Sequence, residues 1–138
     1  MNELERIQEL YRGYLAEAEE VLRTKKVTDG LWGFGKHPAD HPCHGKFLED
    51  LEAALGELAD LPSAQIREIL AYVYRAPLEK RRDPSIHWLL IAAHKLTLPL
   101  LDRLDPADAR ALGERYGADY PRRTRLPAQD QVFAALKG

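Results

Sequence analysis

Apolar side chains fall at Leu4, Ile7, Tyr11, Tyr14, Ala18 and Val21, a spacing of three and four residues that only an α-helix gathers on one face. Leu10, Leu15 and Leu22 widen the stripe. Asn2 can accept from the free N–H groups of the first turn, and the acidic start suits the positive end of the helix dipole, so a helix is predicted over about 3 to 24. The same residues repeat as heptads for about three turns of the pattern, which makes helix 1 the candidate face for a homodimer.

No period survives from Lys25 to His41, where Asp29-Gly30, Gly33, Gly35 and Pro38 predict a long connection at about 25–41. Trp32 and Phe34 in it are expected to pack down on the helices. Helix 2 then starts with Pro42 in its first turn and offers Leu48, Leu51, Leu55 and Leu58 as its buried stripe. Asp60-Leu61-Pro62-Ser63 breaks it, and helix 3 carries Ile66, Ile69, Leu70 and Val73 until Pro77 stops it.

The next start is Asp83-Pro84, an N-cap followed by proline at the first helical position. Trp88 to Ala93 is apolar on every side, which predicts a central helix covered by its neighbours. Pro99 predicts a kink or restart near Thr97, because it removes one hydrogen bond and clashes with the preceding turn. Asp105-Pro106 repeats the start signal for a helix ending near Gly117, and a short last helix runs from about Pro127 to Leu136. The chain reads as one all-α domain over residues 1–138, a compact bundle of five or six helices.

Composition narrows the function classes. With 45% hydrophobic and 30% charged residues, the 138-residue chain has enough apolar surface for one core. A formal net charge of -2 disfavours nucleic acid as a partner. The longest apolar run, Trp88 to Ala93, is far short of the ~20 residues of a membrane helix. A single cysteine and a polar, acidic start lead us to expect a cytoplasmic protein.

Chemistry-bearing residues concentrate between Gly30 and His44. Gly30, Gly35 and Lys36 fit the first seven positions of a phosphate loop, but His37 stands where a hydroxyl belongs, and the loop follows a helix instead of a strand. His37, His41, Cys43 and His44 are ligand types that zinc prefers, with His87 and His94 as candidates to complete a set. Zinc binding, with hydrolysis if a coordination position stays open, is therefore the alternative to a non-enzymatic protein-interaction module that needs no cofactor. Cys43 in the first turn of helix 2, near Lys36 and Lys46, is the candidate nucleophile. Two basic clusters, Lys80-Arg81-Arg82 and Arg122-Arg123 with Arg125, could hold phosphate or an acidic partner if they converge.

Overall fold

A computed structural model describes the backbone of residues 2–32 and 42–137 and the side chains of residues 2–23 and 42–137. Helix α1 spans Glu3–Trp32, α2 Pro42–Gly56, α3 Ser63–Arg75, α4 Pro84–Ala92, α5 Leu98–Leu101, α6 Pro106–Asp119 and α7 Pro127–Lys137. Since α5 is a single turn continuing the line of α4, this is an all-α bundle of six helices, with no strand among the described residues.

Start signals behave largely as their chemistry dictates. The Asn2 side chain accepts from the Glu5 N–H at 2.8 Å, and Asp83 accepts from the Ile86 N–H at 3.4 Å. Asp105 departs from the expectation, because its side chain makes no capping bond. Its own N–H instead donates to Ser63 Oγ at 2.7 Å, and Ser63 donates onward to Asp108, tying the start of α6 to the start of α3. Helix α1 continues eight residues past its predicted end: Asp29-Gly30 lowers helical stability by about 1 kcal/mol without being a steric block. The predicted packing of Trp32 and Phe34 lies outside the described side chains.

Helix α1 buries Ile7, Tyr11, Tyr14 and Ala18 against α2 and α3. These are the residues that carried the heptad spacing, and they already lie in this chain's own core. On α2, Phe47 is the buried anchor, with Leu48 only half-buried. Phe47 stacks on Tyr14 at 4.4 Å and meets Tyr11 edge-on at 5.0 Å, and such ring pairs add about 0.5–1.5 kcal/mol beyond the area they bury.

Two prolines shape the centre. Pro99 has no N–H for the Lys95 carbonyl, so the Leu98 N–H takes it one residue early, and Ala93–Thr97 tightens into a 3-10 turn before α5 restarts. Pro77 likewise converts the end of α3 into a 3-10 turn over Ala76–Lys80. The Ala93–Thr97 turn touches α2, α3, α4, α5 and α7, and its His94 and Thr97 are fully buried. Helix α4 is not covered all round as its composition suggested. Ile86, Leu90 and Ile91 face inward, while Trp88 is 62% exposed, because an apolar run without a period carries no information about which side meets the core.

Helix α7 lies close on α6 because two glycines one turn apart leave room. An added Cβ at Gly113 would meet Leu136 at 3.4 Å, and one at Gly117 would meet the Phe133 ring at 3.0 Å. Gly45 in α2 faces open space instead. Gly45→Ala is expected to raise the unfolding free energy by about 0.5–1 kcal/mol through lower unfolded-state entropy. Gly117→Ala should give no such gain, since it must displace Phe133; urea unfolding of the two variants beside the parent checks both outcomes.

Candidate functional site

Six residues were candidates for a metal centre, and the structure describes four of them. His44 is buried, with Nδ1 2.7 Å from the Tyr14 hydroxyl. His87 is half-buried and donates from Nδ1 to the Pro77 carbonyl at 2.9 Å, which pins α4 to the 3-10 turn after α3. His94 has Nδ1 2.9 Å from the Tyr116 hydroxyl. Cys43 is buried beside α1. Among the described residues no group of three or more histidine, cysteine or carboxylate side chains is placed to hold a metal ion. His37 and His41, with most of the phosphate-loop-like segment, lie outside the described residues.

Cys43 borders a groove of about 220 Å³ between α1 and α2, edged by Glu9, Glu17, Asp50 and Lys46. The helix start and nearby lysines were expected to lower its pKa. Burial instead raises it, and the negative charge of Glu17 adds to the effect. The thiol is therefore held in its protonated, poorly nucleophilic form, and it is expected to alkylate with iodoacetamide at neutral pH more slowly than a free cysteine.

A polar network that the sequence reading did not anticipate occupies the interior where α3, the Ala93–Thr97 turn and α6 meet. The Tyr74 hydroxyl donates to Thr97 Oγ1 at 2.6 Å, and Thr97 donates to the His94 carbonyl at 2.7 Å. The Tyr120 hydroxyl donates to the Tyr74 carbonyl. The His94 ring meets Tyr74, Tyr116 and Tyr120 edge-on at 5.1 to 5.7 Å. On the C-terminal helix, buried Gln129 accepts from the Leu126 N–H at 2.9 Å. The one sequence signal for this network is His94, a histidine beside an apolar run; its tyrosines carry no such mark.

Desolvation dominates His94 and drives its pKa from 6.5 down to about 3, against the Val73 backbone carbonyl, which favours the protonated ring. Pro77 has no N–H to give that carbonyl, four residues along the chain. Burial also raises the tyrosine pKa values, so Tyr74, Tyr116 and Tyr120 remain neutral donors. The site is a neutral hydrogen-bonded core, with no group poised to exchange protons near neutral pH.

The Arg122-Arg123-Arg125 cluster divides on folding. Arg125 is withdrawn, with its guanidinium 4.2 Å above the Phe133 ring and its side chain 9% exposed. Arg122 and Arg123 stay exposed, and Arg75 and Arg81 act electrostatically on Tyr120, the residue just before Pro121-Arg122-Arg123. No helix among the described residues is long and apolar enough to cross a membrane. Comparisons with protein-family models, with curated proteins and with solved structures returned no match.

Because the His94 pKa is lower in the folded state, the unfolded chain binds the extra proton and stability rises with pH. His94 contributes fully above pH 6.5, and its contribution is lost as the pH falls from 6.5 toward about 3. The expected loss is about 1.4 kcal/mol per pH unit in that window. Urea unfolding at successive pH values should show a shallower acid slope in His94→Gln than in the parent. Parallel slopes would mean that His94 titrates alike in both states.

Proposed function

We propose that this chain is a non-enzymatic protein-interaction module. The observation that carries the reading is Trp88: among the described residues it is the exposed large hydrophobic side chain, and it stands on a helix fixed from behind by Ile86, Leu90 and Ile91. An exposed tryptophan on a rigid element costs little entropy to bury against a partner, and tryptophan is enriched among residues that dominate binding energy. The described histidines and Cys43 supply no competing argument, since their polar atoms serve internal contacts or are desolvated. A cytoplasmic setting, where a lone thiol stays reduced, suits the same reading.

A homodimer through helix 1 remains one form of this proposal, but it would have to use half-buried Leu4, Leu15 and Leu22 in place of the heptad residues already in the core. Sedimentation of the purified chain reads that directly.

Trp88→Glu is expected to leave the unfolding midpoint nearly unchanged, because the side chain is already in water. It should remove partners that co-purify with the parent chain from its own cells. Stoichiometric zinc in untagged protein purified without chelator, or an identical co-purifying set from parent and variant, would overturn the reading.

A further inference from the structure

A notch of about 160 Å³ lies between α3 and α6. Its buried floor is Tyr74, Leu112 and Tyr116, half-buried Ala71 and exposed Ala111 form its sides, and Arg67, Arg75, Arg115 and Asp119 stand around it. An alanine on each helix leaves space that larger side chains would fill. Arg67 is held by Asp108 at 3.0 Å and Arg115 by Asp119 at 3.2 Å. Those aspartates are only 14% and 15% exposed, whereas the arginines are 48% and 55% exposed, so the guanidinium groups are fixed in place with most of their N–H donors facing water. Arg75 has no ion pair among the described residues.

We infer that this notch receives an acidic amphipathic helix of a partner protein, with one apolar side chain entering between Ala71 and Ala111 and carboxylates on either side meeting Arg67, Arg75 and Arg115. The inference rests on the interaction-module reading and adds the chemistry of the partner. Arg67 and Arg75 are eight residues apart on α3, about 12 Å along its axis. A partner helix laid along α3 therefore matches both with acidic residues two turns apart and one apolar residue midway, the anchor spacing of helix-in-groove recognition.

The charge distribution agrees. Residues 62–138 hold 13 Lys and Arg against 9 Asp and Glu, while residues 1–61 hold 7 against 13. A modest net charge thus conceals a positive C-terminal half of the sequence, which supplies every residue lining the notch, and an excess of positive charge steers an acidic partner. Arginine suits this role because its planar fork binds a carboxylate through two parallel hydrogen bonds. The floor disfavours single-stranded nucleic acid. Tyr74 and Tyr116 are 3% and 1% exposed, so they offer no aromatic face on which a base could stack.

The test is fluorescence anisotropy of a labelled helical peptide of about 15 residues, carrying one central leucine with glutamates three and four residues to each side. The full chain is expected to bind it with a Kd in the micromolar range, weakened about tenfold or more by Arg75→Glu, by Ala71→Leu and by replacing the peptide's leucine with serine. Ala71→Leu fills the notch without removing charge, and its thermal midpoint reports whether the fold survives. Trp88→Glu should leave the peptide affinity unchanged. Equal binding of the leucine and serine peptides, undiminished binding by a folded Ala71→Leu, tighter binding of a single-stranded RNA of similar length, or no binding would each overturn the proposal. If the peptide fails while Trp88→Glu still loses co-purifying partners, the notch falls and the interaction-module reading stands.

Discussion

The constraint on which the bundle depends is that His94 must stay uncharged while fully buried. Its ring lies among Tyr74, Tyr116 and Tyr120, and its backbone belongs to the one turn that touches five helices. A charged imidazole there would be costly, and a hydrophobic replacement would leave the Tyr116 hydroxyl without its partner. The Tyr116 hydroxyl meets the polarity of Nδ1 without introducing a charge. That arrangement lets polar atoms sit in the core and still specify one packing of α3 against the Ala93–Thr97 turn and α6.

Much of the helical layout was legible because it depends on local rules. The stripes of α1 and α3 follow from spacing alone, and Asn2, Asp83, Pro77 and Pro99 mark starts and breaks through hydrogen bonds that each residue makes or cannot make. Features that depend on partners distant in sequence were not legible. Trp88 and Leu90 sit in the same apolar run, and only the placement of neighbouring elements decides that one meets water and the other the core. The bond from the Asp105 N–H to Ser63, 42 residues earlier, is of the same kind.

The candidate site was legible in its residues but not in their use. His87 and His94 were recognisable as histidines on an apolar helix, and a backbone partner for His87 follows from the carbonyl of Pro77. The tyrosine partners of His44 and His94 lie on other helices and leave no trace in spacing. For Cys43, sequence neighbours suggested a lowered pKa, while the groups that decide it are the burial of the thiol and the charge of Glu17 on α1. The arginines divide in the same manner: Arg125 is adjacent in sequence to an exposed cluster yet lies against Phe133.

The two prolines beside the 3-10 turns also act before any of these contacts exist. Each restricts its own φ, which removes backbone freedom at Pro77 and Pro99 already in the unfolded chain, while Ala76 and Leu98 just before them are held at helical angles that a following proline disfavours. Less backbone freedom remains to be lost when the segments meet. The junction is in this sense partly constrained by covalent geometry, and the packing of neighbouring helices must hold the two residues that the prolines alone would release from helix.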